Sequence, residues 1–342
     1  MTTTRTPFAR LLAACLGALV LSATAASAQD AVDEAAAKKE GKVSWYTSTP
    51  IKQAQQIATD FEAKTGIKVE LFRSGGTAVL RRFQQELEAK KIAADVLTTS
   101  DPAASNVLAA KDTFVAFKPK DFDKVPEAAK DKDGRWIGQR LNIMTIYARG
   151  DKVTAADLPK SWKDLLEAKH KGKLVMTDPS FTSLQVSVVG MLAKANGWGF
   201  YEKLSQSGIM IVRSNQQVSD AIKRAERVIA VGALDSYAAE DRAAGHNIVT
   251  IYPEDGTFII PSPTAVVKGS PNPNTAKLFA QYMISEAAQK IFPKDGGYSA
   301  RSDIDPPDGS PHVSKIKVIP VDYDYLEKDA NAIKKKFAEI FQ

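Results

Sequence analysis

The fold is decided by residues 67–90, which read IKVELFRSGGTAVLRRFQQELEAK. Ile67 to Phe72 alternates apolar and polar residues, which predicts a strand, and Ala78 to Lys90 has the spacing of an amphipathic helix. The loop between them carries adjacent glycines, Gly75 and Gly76. Strand, loop and helix in this order form the unit from which parallel α/β sheets are built.

The same unit recurs on both sides of this stretch. Before it, Lys42 to Tyr46 predicts a strand and Ile51 to Thr65 predicts a helix. Further strands are predicted at Ala94 to Leu97, Lys173 to Met176, Ile209 to Val212, Ile229 to Val231 and Ile248 to Tyr252. These strands fall into two sets along the chain, so we predict an α/β fold with two α/β units, each containing several strands.

Length and composition agree with this prediction. The chain has 342 residues, is 44% hydrophobic and 25% charged, and so differs from collagen-like, low-complexity and disordered chains. It exceeds the usual limit of about 250–300 residues for one core, which favours two lobes. The net charge of +6 comes without a run of five or six basic residues, so we expect no nucleic-acid binding. The pair Arg81-Arg82 is predicted to lie on a solvated helix face.

The first 28 residues are predicted to be a signal peptide. Arg5 and Arg10 precede an apolar run from Leu11 to Leu21, which is too short to span a bilayer about 30 Å thick. Ala26-Ser27-Ala28 has the form of a signal-peptidase site, so we expect cleavage after Ala28 and export to the periplasm. Leu12-Ala13-Ala14-Cys15 matches the sequence pattern of a bacterial lipoprotein cleavage site. However, Arg10 lies only five residues before Cys15, so no apolar segment precedes the cysteine, and this favours a soluble exported protein.

The sequence lacks the catalytic or metal-binding residues that several classes of enzyme require. Cys15 is the only cysteine, so the mature chain has no disulfide, thiolate metal site or cysteine nucleophile. It has no H-E-x-x-H or G-x-S-x-G motif, and no Gly-Lys-Ser/Thr follows Gly75-Gly76. We expect a binding protein; a periplasmic hydrolase is the competing class.

Hydroxyl-rich loops follow four of the predicted strands. Each hydroxyl could merely cap the helix that follows. Together, at the carboxyl ends of strands and ahead of helix N-termini, they predict a cleft that binds an anion. The candidate residues in these loops are Thr47, Ser48, Ser74, Gly75, Gly76, Thr77, Thr99, Ser100, Thr182 and Ser183.

The sequence also resembles a known family, the periplasmic solute-binding proteins of ABC importers. The resemblance lies in the branch with ferric-ion, thiamine, polyamine, aminoethylphosphonate and sugar-phosphate binders. It is carried in order by Phe61 to Val69, Ala94-Asp95-Val96, Leu158 to Leu165, Lys171-Gly172-Lys173, Asp178-Pro179 and the segment from Gly269 to Gln289.

This resemblance implies the two-lobed type II fold, in which each lobe is a mixed sheet flanked by helices. Residues 29–139 plus 264–302 would form lobe 1, and residues 140–263 plus 303–342 would form lobe 2. Crossover strands near Gly138 to Ile146 and Ile260 to Val267 would act as the hinge. The protein would capture a solute between its lobes and deliver it to a permease in the inner membrane. We expect a monomer without a cofactor or a metal.

The resemblance also bears on the solute. Ferric binders of this branch use two adjacent tyrosines, a carboxylate and often a histidine, whereas Leu234 to Ala238 holds only Tyr237. Ser100 stands at the position that matches the carboxylate, Thr47 to Pro50 lacks the histidine, and all three histidines (His170, His246 and His312) are predicted to lie on the surface.

We therefore expect a small organic anion: a phosphate ester, a phosphonate or a carboxylate. Asp235, Tyr237 and Glu254 would bind its hydroxyls or an amine, and Arg140 would pair with the anion. Two alternatives remain open for these residues: Glu254 would belong to an ordinary acidic turn, and Arg140 to a salt bridge between lobes. A ferric ion or iron complex is the alternative solute.

Overall fold

The computed structural model describes residues 1–2 and 30–341. Residues 3–29 lie outside the described part, and with them lie Cys15, the cleavage site after Ala28 and nearly all of the predicted signal peptide. No described helix has the length and apolarity needed to cross a membrane.

Ten strands form one mixed sheet. They are β1 (Lys42–Thr47), β2 (Lys68–Arg73), β3 (Val96–Thr98), β4 (Ile137–Arg149), β5 (Leu174–Thr177), β6 (Met210–Val212), β7 (Ile229–Leu234), β8 (Ile248–Ile251), β9 (Phe258–Val266) and β10 (Tyr298–Ser299). Along the sheet the order is β2-β1-β3-β9-β4-β7-β5-β6, and β8 and β10 pair with β4. The predicted strands are all present, most of them displaced by one or two residues.

Strands β4 and β9 join the two halves of the sheet. β1, β2 and β3 are parallel to one another, as are β7, β5 and β6. Between these sets, β9 is antiparallel to β3, and β4 is antiparallel to both β9 and β7. The two crossover segments expected from the resemblance therefore correspond to β4 and β9.

The described chain contains twelve α-helices. They are α1 (Glu34–Glu40), α2 (Ile51–Thr65), α3 (Gly76–Glu88), α4 (Pro102–Ala110), α5 (Ser183–Asn196), α6 (Gly199–Gln206), α7 (Asn215–Lys223), α8 (Asp235–Ala243), α9 (Pro273–Met283), α10 (Glu286–Gln289), α11 (Ile291–Lys294) and α12 (Tyr323–Phe341). Helix α2 ends where the sequence predicts, because Gly66 takes the left-handed conformation (φ 73°) at its C-terminus.

Each half of the sheet has its own hydrophobic core. In the first half, the fully buried Trp45 of β1 packs edge-on against Phe279 of α9, with ring centroids 5.3 Å apart. In the second half, α5 and α12 pack with the apolar residues of β5 and β7. The C-terminal helix α12 contacts α5 and α6, and it also reaches α4 of the first half.

Candidate functional site

The largest set of predicted site residues lines a cavity of about 740 Å³ at the carboxyl ends of β1, β2, β5 and β6. Both halves of the sheet contribute to its wall: the loop after β1, the end of β2 and α3 from one half, and α5, the segment after β6 and α8 from the other. Open α/β sheets bind ligands at this edge, beyond the strand ends.

Five helices begin at the cavity. The first residues of α2, α3, α5 and α7 line it, as does Tyr237 in the first turn of α8. Ser214 caps α7 by accepting a hydrogen bond from the N–H of Gln217 at 3.2 Å, but α2, α3, α5 and α8 have no side-chain cap. The first N–H groups of a helix lack partners within the helix and carry partial positive charge. The cavity wall is therefore rich in donors suited to an anion.

Hydroxyl groups connect the two sides of the cavity. Ser183, at the start of α5, donates to the backbone oxygen of Ser100 at 3.1 Å. The Ser100 hydroxyl lies 3.3 Å from that of Ser48 and 3.1 Å from that of Ser262. Thr182 directly precedes α5 without capping it, so the helix-cap explanation does not account for this residue.

Arg140 of β4 is the buried cation of the cavity, with 6% of its surface exposed. It donates to the Asn142 side-chain oxygen and, at 3.3 Å, to the Ser100 hydroxyl, but its Nε has no partner. No carboxylate of the described chain forms an ion pair with it. The salt bridge between lobes considered above is therefore absent from the described part. Burial lowers the pKa of Arg140 to about 10, and the nearby Arg73 acts in the same direction.

Three further arginines lie at the exposed rim of the cavity: Arg73, Arg81 and Arg213. Arg73 donates through Nε to the backbone oxygen of Thr49 at 3.0 Å, and Arg213 lies over the ring of Phe181, 5.4 Å from its centroid. None of the three forms an ion pair with a carboxylate in the described chain. Lys52 also lines the cavity, but it is paired with Asp295 at 2.6 Å.

Tyr237 and Glu240 of α8 complete this side of the wall. Burial raises the pKa of Tyr237, while Arg73 and Arg140 oppose this effect, so the phenol lies within electrostatic range of both arginines. Glu240 is exposed and is the only carboxylate in the lining. The arginines therefore outnumber the acids in the cavity.

The structure brings nine of the fourteen predicted residues into this lining. These are Ser48, Gly75, Gly76, Thr77, Ser100, Arg140, Thr182, Ser183 and Tyr237. The other five, Thr47, Ser74, Thr99, Asp235 and Glu254, do not line it.

Four of these five have local structural roles. The Thr47 hydroxyl donates to that of Thr49 at 2.8 Å, and the Thr99 hydroxyl accepts from the N–H of Asp101 at 3.3 Å. Ser74 donates its backbone N–H to Thr47. Asp235 is the buried first residue of α8, and burial raises the pKa of this carboxyl well above its usual value.

Glu254 belongs to a different surface. It lies in an exposed turn, where its backbone N–H donates to Lys160 and its backbone oxygen accepts from Lys317 at 2.7 Å. The structure therefore agrees with the alternative for this residue: Glu254 belongs to an ordinary acidic turn.

Gly75 and Gly76 are not required by backbone conformation. Neither has a positive φ; that of Gly75 is −63°. A side chain at Gly76 would begin 3.6 Å from the Ser183 hydroxyl and 3.8 Å from the Cβ of Ser48. The glycine therefore leaves space between the two halves, where the cavity is narrow.

Sequence reasoning missed Arg73, Arg81 and Arg213. Arg81 was assigned to a solvated face; it is exposed, but it lies one helical turn after Thr77 and shares the cavity with it. Its neighbour Arg82 instead packs over the rings of Tyr46 and Phe72. Arg73 and Arg213 each stand at or directly after the end of a strand, which is the signal that could have identified them.

One histidine prediction is wrong. His170 is 1% exposed rather than on the surface; it ends the short 3-10 helix Ala168–His170, in which it is the buried residue. Burial lowers its pKa, which favours the neutral ring. Within the described chain, no group of three or more His, Cys, Asp or Glu residues could hold a metal ion.

Comparison with known proteins decides the family. The model of a bacterial extracellular solute-binding protein family matches residues 91–329, well over half of the chain. The chain belongs to this family. This extracellular solute-binding protein is the periplasmic component of an ABC importer; it is not an enzyme, and it works with a membrane permease and a small solute.

Its relatives have different stated ligands. The "Putative 2-aminoethylphosphonate-binding periplasmic protein" of Salmonella typhimurium is 25% identical over 281 residues, which cover 79% of this chain and 78% of that protein. "Iron uptake protein A1" of Synechocystis is 25% identical over 277 residues, which cover 74% of each. The structure of AfuA from Actinobacillus pleuropneumoniae with bound fructose-6-phosphate is 18% identical, has a TM-score of 0.77, and covers 88% of this chain and 98% of that one. The structural likeness establishes the type II periplasmic-binding-protein fold.

Proposed function

We propose that this solute-binding protein captures a small organic anion, a phosphate ester, phosphonate or carboxylate, between its two lobes. The observation that carries the proposal is Arg140, a buried arginine in the cavity wall with a free Nε and no carboxylate partner in the described chain. A buried charge without a counter-ion is costly, and an anionic solute would supply that counter-ion.

The size and lining of the cavity support the same class of solute. At about 740 Å³ it falls within the range of about 300–1,000 Å³ that is usual for small-molecule sites, which suits an organic solute better than an inorganic ion. The uncapped helix N-termini suit phosphate or carboxylate oxygens. Two of the proteins compared above are named for a phosphonate or crystallised with a sugar phosphate, which agrees with such a solute.

We propose that the two lobes close over the solute and that β4 and β9 form the hinge between them. We infer that lobe 1 comprises residues 29–139 plus 264–302, and lobe 2 comprises residues 140–263 plus 303–342. In support, β9 pairs with β3 of the first parallel set, β4 pairs with β7 of the second, and β4 and β9 pair with each other, so these two strands connect the two sets. Lobe closure about such strands is the usual motion of periplasmic binders.

Native mass spectrometry of the protein purified from the periplasm of its own organism tests the proposal. We expect one co-purified small molecule that carries a phosphate, phosphonate or carboxylate group. The Arg140→Gln protein, prepared in the same way, should lose that mass, while Arg224→Gln, which alters an arginine paired with Glu226 outside the cavity, should retain it. A neutral solute, or a metal ion without an organic anion, would contradict the proposal.

An iron complex is the second candidate, because the phenol of Tyr237 lies in the cavity and a relative is named for iron uptake. The surrounding arginines would repel bare Fe³⁺ but would accept an anionic chelate. We expect no tyrosinate charge-transfer colour after the protein is loaded with ferric citrate and desalted. A stable stoichiometric visible band that disappears in Tyr237→Phe would favour iron instead.

A further inference from the structure

The arginines of the cavity differ from those elsewhere in the described chain. Arginines elsewhere usually have an acidic partner: Arg82, Arg135, Arg149, Arg224 and Arg301 each form an ion pair. The remaining two outside the cavity, Arg227 and Arg242, donate to a backbone oxygen and to a hydroxyl. The four arginines of the cavity form no ion pair with a carboxylate in the described chain, and all four line the same cavity.

These four arginines occupy two levels of the cavity. Arg140 is almost fully buried in the wall formed by β4, whereas Arg73, Arg81 and Arg213 are exposed at the rim. Tyr237 also lines the cavity, within electrostatic range of both Arg73 and Arg140. A single phosphate held at the inner level would leave the rim charges without a counter-ion.

The rim arginines also belong to opposite sides of the cavity. Arg73 ends β2 and Arg81 lies on α3, in one half of the sheet; Arg213 follows β6, in the other half. Closure of the lobes brings like charges towards each other, which is unfavourable unless an anion lies between them. Glu240 is the only acid of the lining, and it cannot neutralise three arginines.

We propose that the solute carries two separated anionic groups, one bound at Arg140 and the other held between Arg73, Arg81 and Arg213. Bisphosphates, bisphosphonates and phosphorylated carboxylic acids belong to this class. The inference rests on the proposed function, since it assumes that the cavity binds an organic anion, and it adds the number and placement of the charged groups.

Calorimetric titration with a series of α,ω-alkane bisphosphonates and the matching monophosphonates tests the inference. All titrations use one ionic strength, because salt screens attraction between charges. We expect the bisphosphonate to bind about ten- to a hundred-fold more tightly than its monophosphonate at one preferred chain length, since hydrogen bonds between charged groups are the strong ones. In Arg213→Gln the affinity for the bisphosphonate should fall by a larger factor than the affinity for the monophosphonate, so that the advantage disappears, and Arg224→Gln should behave like wild type.

The possible failures are distinct. Equal affinity for both members of every pair would overturn the dianion inference and leave the proposed anion site intact. Binding of neither kind at any length would overturn the anion site as well. A bisphosphonate advantage that Arg213→Gln retains would also overturn the inference, because the second group would then bind elsewhere.

Discussion

Replacement of Arg140 by glutamine should have opposite effects on stability and on binding. In the empty protein, burial lowers the pKa of Arg140 from 12.5 to about 10, which corresponds to about 3 kcal/mol of unfavourable free energy for the charged form. Glutamine removes this cost but also loses the hydrogen bonds to Ser100 and Asn142, each worth about 0.5–1.5 kcal/mol. The free energy of unfolding of the empty protein should therefore stay unchanged or rise by up to about 2 kcal/mol.

Binding should weaken strongly in the same variant. An anion at Arg140 would accept two charge-assisted hydrogen bonds of about 1.5–3 kcal/mol each. Loss of both corresponds to a decrease in affinity of about a hundred-fold or more, because 1.4 kcal/mol is about tenfold. Arg140→Lys keeps the charge but not the planar guanidinium group, so its affinity for the solute should lie between those of wild type and Arg140→Gln.

Calorimetric titration with the co-purified solute, together with chemical denaturation of the empty protein, measures both effects. Arg224→Gln serves as the control, since it also removes an arginine, but one paired at the surface with Glu226. The reasoning is refuted if Arg140→Gln binds like wild type. It is also refuted if the empty variant loses more than about 3 kcal/mol of stability, because Arg140 would then be a structural element of β4.

Three further predictions concern the loops, a buried acid and closure. Thr77→Ala should weaken binding about ten- to a hundred-fold. Gly76→Val should weaken it more, because the methyl groups of the valine would extend towards Ser183. The prediction is contradicted if both variants fold and bind the solute with the affinity of wild type. Burial raises the pKa of Asp235, so the folded protein holds a proton that the unfolded chain releases above about pH 4, and stability falls as the pH rises. Asp235→Asn should therefore melt higher than wild type at pH 7 and almost equally at pH 4; a difference that is the same at both pH values would argue against this. Small-angle scattering should give a smaller radius of gyration with the co-purified solute, and an unchanged radius at saturation would exclude closure.

Local pattern was sufficient for the strands and for the loops that follow them. The alternation in Ile67 to Phe72 and the apolar spacing in Ile51 to Thr65 are properties of single segments, so β2 and α2 could be predicted without knowledge of their neighbours. Because parallel strands end at one edge of a sheet, Ser48, Thr77 and Thr182 could be expected to share a site.

The residues that the sequence could not place depend on long-range contacts. Arg81 and Arg82 are adjacent and chemically identical, yet one lines the cavity and the other packs on Tyr46 and Phe72. Which of the two arginines lines the cavity is set by how α3 packs against Tyr46 and Phe72 of the neighbouring strands. Glu254 is grouped with Asp235 in the sequence analysis as an acidic residue that could bind hydroxyls or an amine, whereas the route of the chain after β8 takes it to Lys160 and Lys317.

The central claim is that the cavity binds an anionic group of the solute at Arg140. A crystal structure of the protein with the solute that co-purifies from the periplasm tests it most directly. We predict a phosphate, phosphonate or carboxylate oxygen within about 2.7–3.2 Å of the Arg140 guanidinium, with further oxygens at the start of α3 or α5. A solute bound elsewhere, or a neutral group lying against Arg140, would contradict the claim.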